Sequence, residues 1–423
     1  MKRHVVMVAL LLGFGLFLRL YNRAEAMYFQ SDQGLLLLTS KHAVFDGVVP
    51  RVGPPISLSG AYLPPFMYYL VGLFMLVSSD PLTVAMGYTA LNLVASLLLF
   101  LWVRLMRDGT TALIALFLVM IASPLIENGR SIWQAHPTFF FVTLYLFLSE
   151  AAFHKRNLWL LGASIFVYVV SIGFYPTPLL LLPYVVARTA MHLRSWLAAA
   201  LLLGGMFIAV FGPWIIRDPA IFQSNLRSVA GLFTNLWPIR AYRLLPFYPF
   251  FFIFLAWWLR SWIVDPRRIK RIIAGAFLVL FVFGSMRSWV TATITHPRND
   301  YPEARKIADT ITEDLRLRNV SISDVGVHYF TPLDTNDYYA APLYYLLHRS
   351  IGYPVAYTPL GNELVRGEGE TRHLVYLVCE GFGDAATTNC VVPFLARWPG
   401  YGLVRTYREP DGREVRVLMR EER

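Results

Sequence analysis

The sequence predicts an all-α polytopic membrane domain, followed from about residue 290 by a small α/β domain outside the membrane. Hydrophobic residues make up 56% of the 423 residues, charged residues only 15%, and the mean hydropathy is +0.49, unlike a soluble globular chain. Residues 1–290 hold 23 Lys and Arg against 9 Asp and Glu, whereas residues 291–423 hold 15 against 18. Because the excess basic charge follows the apolar part, it indicates membrane topology and not a nucleic-acid partner.

Long stretches without a charged residue run through residues 1–290 and approach the length that a helix needs to cross about 30 Å of hydrocarbon. They are residues 5–18, 82–103, 109–126, 157–187 and 196–216, with shorter stretches at 137–149, 244–259 and 272–286. The stretch 157–187 is too long for one span and contains Tyr175-Pro176-Thr177-Pro178. It therefore predicts two helices joined by a tight turn.

Basic clusters between these stretches predict their orientation, since cytoplasmic loops are enriched in Lys and Arg. The clusters lie at residues 2–4, 104–107, 154–156, 188–194 and 260–271. If all of them face the cytoplasm, one of the three apolar stretches before residue 104 does not cross. Residues 62–79 contain Leu63-Pro64-Pro65 at their start, which favours a re-entrant or juxtamembrane helix there. This predicts nine spanning helices, with the N-terminus inside and residues from about 290 outside.

Residues 1–26 also allow a second interpretation. A basic start and a short apolar run precede Ala24-Glu25-Ala26, as in a cleaved signal peptide. The polar stretch 19–23 favours a retained first helix instead. The remaining spans are the same in either case.

The tail after residue 290 has the patterning of a soluble domain. It predicts helices at 302–317, 338–348 and 391–398, and strands at 325–330, 373–378, 402–407 and 413–419. Cys379 and Cys390, the two cysteines of the chain, both lie here. In an external compartment such a close pair could form a disulfide, although their spacing is equally compatible with two separate buried thiols.

Several familiar catalytic signatures are missing from the sequence. It contains no Cys-x-x-Cys, no His-Glu-x-x-His, no serine nucleophile elbow and no Gly-rich phosphate-binding loop. The missing Gly-rich loop argues against chemistry driven by a bound nucleotide.

Three segments predicted to lie outside the membrane carry the candidate functional residues. The candidates are Asp32, Gln33 and Tyr62 in the first segment, Arg130, Trp133, Gln134 and His136 in the second, and Arg217 and Arg240 in the third. They offer a carboxylate for general-base catalysis, guanidiniums for a phosphate, and aromatic and amide groups for a sugar. Each type also has an ordinary role at a membrane surface, as a solvated charge, a snorkelling arginine or an aromatic anchor. The first segment is nevertheless predicted to be an irregular loop of about 40 residues, and loops of that length are commonly functional.

The order of short motifs in residues 1–290 resembles the GT-C superfamily of polyprenyl-phosphate-sugar-dependent glycosyltransferases, near its protein mannosyltransferase and aminoarabinose transferase branch. The motifs are Arg19-Leu20-Tyr21-Asn22, Asp32-Gln33, Pro64-Pro65-Phe66-Met67-Tyr68-Tyr69, Ser123-Pro124 and Arg130-x-x-Trp133-Gln134. The tail resembles the family only in placement and size. The resemblance implies a GT-C-like fold, with Asp32 as the acidic catalytic residue of the first outer loop and the candidate general base.

The chain departs from the family pattern at two points. Gln33 stands where the family often has a second acid, and an amide is a poorer ligand for a hard cation than a carboxylate. A divalent metal is therefore compatible with the family but is not required by these residues. The second outer segment has no matching acid, although Glu127 lies slightly upstream of Arg130.

These expectations combine into one functional hypothesis. The chain would be an inverting glycosyltransferase of a bacterial cytoplasmic membrane that uses a polyprenyl-phosphate-linked sugar and a glycan, lipid or protein acceptor on the extracytoplasmic side. Asp32 would deprotonate the acceptor, and Arg130 with an arginine of the third segment would stabilise the leaving phosphate. The alternative is a non-catalytic lipid-glycan-binding or transport protein of the envelope. The absence of ionisable residues from 82–103, 109–126 and 196–216 disfavours ion-coupled transport.

Overall fold

Contacts between Cα atoms divide the chain into two compact units. The computed structural model describes residues 2–55, 62–223, 241–297, 300–330, 340–357, 364–365, 372–379, 390–397, 399–408 and 413–420. The first unit, the membrane unit, comprises Met1–Ala26 and Arg51–Arg298, and the second, the C-terminal unit, comprises Met27–Pro50 and Asn299–Arg423. The C-terminal unit thus includes residues 27–50 of the first predicted outer segment in addition to the tail.

Helices make up most of the described chain before residue 298. They are α1 (Lys2–Leu20), α2 (Arg23–Ala26), α3 (Ser31–Phe45, in the C-terminal unit), α4 (Phe66–Met75), α5 (Pro81–Met106), α6 (Gly109–Ile121), α7 (Ser123–Asn128), α8 (Pro137–Lys155), α9 (Leu158–Phe174), α10 (Leu182–Leu193), α11 (Trp196–Arg217), α12 (Tyr248–Val264) and α13 (Arg268–Val290). Nine of them, α1, α5, α6 and α8–α13, coincide with the nine predicted spans.

Five of the described helices are long and apolar enough to cross a membrane. They are α1, α5, α11, the helix that begins at Arg243 and ends with α12, and the one that begins with α13. The chain is therefore a membrane protein, while the count of nine crossings stays a prediction. The ten residues of α4 rise only about 15 Å, half of the hydrocarbon thickness, so α4 alone is too short to cross.

Local sequence signals account for the helix boundaries. The α9 helix ends at Phe174 and α10 begins at Leu182 after a 3₁₀ turn, so the predicted division of residues 157–187 into two helices is confirmed. Asp80, Asp108 and Asn157 each accept hydrogen bonds from first-turn amides of the helix that follows. Such N-caps satisfy donors that have no partner within the helix.

Side-chain contacts link distant parts of the membrane unit. The Arg107 guanidinium, just after α5, lies 5.6 Å from the ring centroid of Trp257 in α12. Beyond the other end of α1, Arg130 donates to Tyr21 O and to Thr293 Oγ1 after α13. The even numbers of crossings between the basic clusters stay a prediction.

The C-terminal unit combines helices with a mixed sheet. Besides α3 it contains α14 (Asp300–Arg318), α15 (Ala341–Ile351), α16 (Val391–Arg397), β1 (Val325–Phe330), β2 (Ala356–Tyr357), β3 (Leu364–Val365), β4 (Leu374–Cys379), β5 (Tyr401–Arg408) and β6 (Glu414–Arg420). Four strands form one sheet in the order β1-β4-β6-β5, in which β1 and β4 are parallel and the other pairs antiparallel. The two short strands β2 and β3 pair separately.

The predicted elements of the tail are all found within a few residues of their predicted bounds. The helix predicted at 338–348 begins later, at Ala341, with Pro342 in its first turn, where proline's missing N–H costs nothing. It ends at Ile351, and the residue that caps it, Gly352, has a positive φ of 69°. Cys379 and Cys390 form a disulfide, which resolves the two interpretations of their spacing.

A buried carboxylate ties α14 to the sheet of the C-terminal unit. Asp314 accepts hydrogen bonds from Tyr376 Oη at 2.7 Å, Tyr407 Oη at 2.6 Å and Arg318 Nε at 2.7 Å. Burial raises the pKa of Asp314, but the bonds from Arg318, Tyr407 and Tyr376 outweigh burial and leave the pKa below its ordinary value. The group is therefore ionised at neutral pH and holds the helix on strands β4 and β5.

Candidate functional site

Asp32 lies in the first turn of α3, within a stretch that the sequence predicted to be an irregular loop. That expectation was wrong for residues 31–45, which form a helix of 15 residues, ten of them buried. The missed signal is the N-cap Gln30 followed by Gln33, ahead of the apolar run 35–38. Asp32 itself is only partly buried.

Gln33 serves the start of the same helix. Its Oε1 accepts a hydrogen bond from the Gln30 backbone N–H at 3.0 Å, as one half of a capping box. The residue is 0% exposed. The observed role of Gln33 is thus to stabilise the turn that presents Asp32, and its predicted contact with the donor stays a prediction.

Arg130 follows α7 and is 5% exposed. Its Nη2 donates to the backbone oxygens of Leu18 and Tyr21, both at 2.8 Å, and its Nη1 donates to Thr293 Oγ1 at 2.5 Å. Leu18 and Tyr21 lie at the C-terminal end of α1, where helix carbonyls lack intrahelical partners and attract positive charge. The observed contacts of Arg130 therefore join α1 to the segment after α13.

Two further buried arginines extend this network. Arg19, 0% exposed, donates from Nε to Asn92 Oδ1 at 2.9 Å and from Nη1 to Gly15 O at 2.8 Å. Arg23, 7% exposed, donates from Nη2 to Ala85 O. In the described part of the chain, no carboxylate is hydrogen-bonded to Arg19, Arg23 or Arg130, so backbone and amide oxygens stabilise these cations.

The arginines outside the spanning helices keep their charge despite burial. Burial, and then the charge of Arg130, lower the pKa of Arg23 to about 10. Burial also lowers the pKa of Arg130 to about 10, partly offset by the nearby carboxylate of Glu127. Both values lie well above neutral pH, so both side chains are cationic under physiological conditions.

Amide side chains connect the arginines to the second outer segment. Asn92 of α5 donates to Asn128 Oδ1 at 3.0 Å, and Asn128 donates to the backbone oxygen of His136 at 3.3 Å. Neither asparagine was among the predicted site residues. Their signal was available, since a polar residue such as Asn92 inside a long apolar stretch needs a partner within the protein.

The loop between α7 and α8 holds Trp133, Gln134 and His136 in addition to Arg130. His136 is buried, its Nδ1 lies 2.9 Å from Ser131 O, and its ring centroid is 5.6 Å from that of Trp133. Trp133 and Gln134 are partly exposed. The buried histidine thus supports the turn, while the neighbouring indole and amide present surface.

This loop contacts the part of the first outer segment that belongs to the membrane unit. Gln134 Nε2 donates to Pro55 O at 3.1 Å, and Pro55 forms an isolated antiparallel bridge with Tyr62. On the same stretch, Arg51 O accepts from Trp214 Nε1 of α11 at 3.1 Å. The structure therefore brings Tyr62, Gln134 and the end of α11 into one connected region.

Of the two predicted arginines of the third segment, the structure describes one. Arg217 is the last residue of α11 and is exposed. Arg240 lies outside the described residues. For a metal ion, no group of three or more His, Cys, Asp or Glu side chains suited to binding occurs among the residues that the structure describes.

These features define a class of protein: a polytopic helical membrane protein with a second, α/β unit that carries a carboxylate on a short helix. No protein-family model matches the sequence, and no curated protein matches it significantly. Solved structures do match its fold.

Two of these structures are of the aminoarabinose transferase ArnT from Cupriavidus metallidurans, in the apo state (12% identity) and bound to undecaprenyl phosphate (13%). Each match has a TM-score of 0.56 and covers 98% of this chain and 97% of ArnT. A third is the Archaeoglobus fulgidus oligosaccharyltransferase in complex with Zn and sulfate, at 10% identity and a TM-score of 0.53, covering 97% of this chain and 72% of that one. The chain thus has the fold of the GT-C superfamily, as its motifs predicted.

Proposed function

We propose that this protein is a membrane glycosyltransferase that transfers a sugar from a polyprenyl-phosphate donor to an acceptor hydroxyl. The observation that carries the proposal is the match of nearly the whole chain to structures of lipid-linked glycosyltransferases, one of them solved with undecaprenyl phosphate. Asp32 at the partly exposed start of α3 supports it, since this is the residue that the family motif identifies as catalytic.

The proposed reaction is a single inverting displacement. The Asp32 carboxylate accepts the proton of the acceptor hydroxyl, and the acceptor oxygen forms a bond to the anomeric carbon of the sugar. The bond from that carbon to the phosphate oxygen breaks, and its electron pair leaves with the polyprenyl phosphate. A glycan, a lipid or a protein can supply the hydroxyl, and the bilayer holds the donor's lipid chain.

For the donor we propose the connected region of the membrane unit. Trp133, Gln134 and Tyr62 are partly exposed and offer stacking and hydrogen bonding to a sugar, while His136 supports their turn. Arg217 is exposed at the end of α11 and offers a guanidinium to the phosphate, with Arg240 as a second candidate. Arg130 was expected to bind the phosphate, but its two Nη atoms are already engaged by Leu18, Tyr21 and Thr293.

The extracytoplasmic side of a bacterial inner membrane is the proposed location of the reaction. The disulfide between Cys379 and Cys390 supports this, since disulfides persist in oxidising compartments. The charge clusters of the membrane unit favour the same orientation. On that side the sugar of a lipid-linked donor is accessible, whereas nucleotide sugars are scarce.

The test is Asp32→Asn in the purified full-length protein, assayed for sugar transfer and for donor binding. Loss of a general base lowers turnover by about 10²–10⁴-fold, and donor affinity should stay the same. Asp46→Asn is the matched control: Asp46 is an exposed carboxylate just after the same helix, 2.9 Å from His42 Nδ1. Near-normal turnover of Asp32→Asn would assign the base to another residue, with Glu127 and His136 tested next. Donor binding without turnover by the wild-type protein would favour the non-catalytic alternative.

A further inference from the structure

The helix that carries Asp32 is attached to the C-terminal unit. Residues 27–50 cluster with the chain after residue 299 and not with the preceding helix α1. Two contacts anchor the start of α3 to α14: the ring of Phe29 lies edge-on to Tyr301 with centroids 5.4 Å apart, and Gln30 Nε2 donates to Asp300 Oδ1 at 3.4 Å. Phe29 is 2% exposed, so the ring contact is buried.

A closer contact lies one turn further along α3, at Gly34. A Cβ atom added there would lie 2.2 Å from the backbone N of Pro342 and 2.4 Å from the carbonyl carbon of Ala341. Both atoms belong to the main chain at the start of α15, where the proline ring restricts movement. A side chain of any size at position 34 therefore requires α3 and α15 to move apart.

Helix propensity does not account for a glycine at position 34. A glycine inside a helix costs about 1 kcal/mol relative to alanine, so α3 alone would be more stable with alanine at position 34. The close approach of Pro342 is the physical reason that glycine is suited to this position. The contact thus sets the distance between the two helices at the expense of the helix itself.

We propose that the C-terminal unit is the scaffold that positions Asp32, and that Gly34 is the positioning residue through which it does so. The inference rests on the proposed function, because it takes Asp32 as the base. Asp32 lies two residues before Gly34 on the same helix, so a displacement of α3 from α15 moves the carboxylate with it. A misplacement of about 1 Å in a reacting group can lower a rate by about 10²-fold.

The experiment uses the full-length protein with Gly34→Ala, and Gly204→Ala as the control. Gly204 is also a helix glycine, but a Cβ atom there meets nothing within 4 Å. We expect Gly34→Ala to lower kcat by about 10²-fold with the donor KM within about twofold of wild type. Amide hydrogen exchange should become faster in residues 31–45 and 341–351, and Gly204→Ala should change none of these quantities.

Two results would overturn the positioning role: an unchanged kcat for Gly34→Ala, or unchanged exchange protection of both helices. If Gly34→Ala does not fold, Phe29→Leu tests the same attachment by removing the ring contact with Tyr301. It should lower kcat by about threefold to tenfold at an unchanged donor KM, and an unchanged kcat there would equally overturn the proposal. Failure of the proposed function is a separate outcome, seen as an active Asp32→Asn.

Discussion

Two charged residues that the motifs singled out, one in each unit, have different surroundings. In the membrane unit, the arginine that the motif made most conspicuous, Arg130, is buried and bonded to main-chain oxygens at the end of α1. In the C-terminal unit, Asp32 stands partly exposed at the start of a helix whose next eight residues are all buried. Arg130 thus contributes to the internal stability of its unit, whereas Asp32 remains partly exposed.

The physical reason for the difference is solvation. Within a helix bundle in a membrane, no water is at hand for a cation or for the last carbonyls of a helix, so each stabilises the other. In general, a carboxylate in the first turn of a helix is stabilised by the helix dipole and by the backbone N–H groups that have no partner within the helix. It therefore does not need to be buried against a partner side chain. A residue that stands out in a motif is therefore not always one that is available to a substrate.

The largest effect on stability is expected at Arg130. A lysine cannot reach the three acceptors that the guanidinium fork reaches, so Arg130→Lys should lower the free energy of unfolding by about 3–5 kcal/mol, with donor affinity of the folded protein unchanged. Thermal unfolding and donor binding in detergent measure both. Arg217→Ala is the matched control, which should lower donor affinity and leave stability unchanged, since Arg217 is exposed.

The opposite result at Arg130 would remove the contrast between the units. If Arg130→Lys keeps its stability but loses donor affinity by about 1.5–3 kcal/mol, the residue is the phosphate-binding clamp that the motif suggested. Arg130 would then be a functional residue despite its burial.

A smaller effect is expected from the disulfide of the C-terminal unit. Closing a loop of this length contributes about 3 kcal/mol, so Cys379→Ser with Cys390→Ser should lower the unfolding temperature of that unit and leave the membrane unit unchanged. Hydrogen exchange resolves the two units within one sample. Thiol labelling of the wild-type protein as isolated should detect no free cysteine, and labelling of both cysteines without a reductant would contradict the proposed location.

The smallest effect is expected at Asp314, and it depends on pH. Because the folded pKa is lowered, its contribution is complete above the ordinary carboxyl pKa and is lost as pH falls through the folded pKa. Asp314→Asn should therefore cost about 2 kcal/mol at pH 7 and progressively less in acid. The check is urea unfolding at several pH values, with hydrogen exchange used to monitor α14. If the loss of unfolding free energy does not depend on pH, side-chain packing and not the charge of Asp314 holds the helix.

Much of the fold could be predicted because its signals are local. The apolar stretches specified nine helices, Tyr175-Pro176-Thr177-Pro178 specified a break, and alternation in the tail located its strands. The candidate site was predictable only in part. The roles of Asp32, Trp133 and Arg130 stay predictions. The structure shows that Arg130 is bonded to main-chain oxygens, and it adds Asn92 and Asn128, which the motif omitted.

The sequence by itself determined that this is a helical membrane protein followed by an α/β tail, because hydrophobic length and periodicity are properties of short segments. The GT-C-like fold was implied by the resemblance of its motifs, and the structural comparisons support it. Only the tertiary structure decided which unit holds α3, since that depends on the meeting of Gly34 with Pro342, more than 300 residues later. It also decided which polar groups are exposed. Burial depends on the neighbours that folding brings together, and a motif contains no information about them.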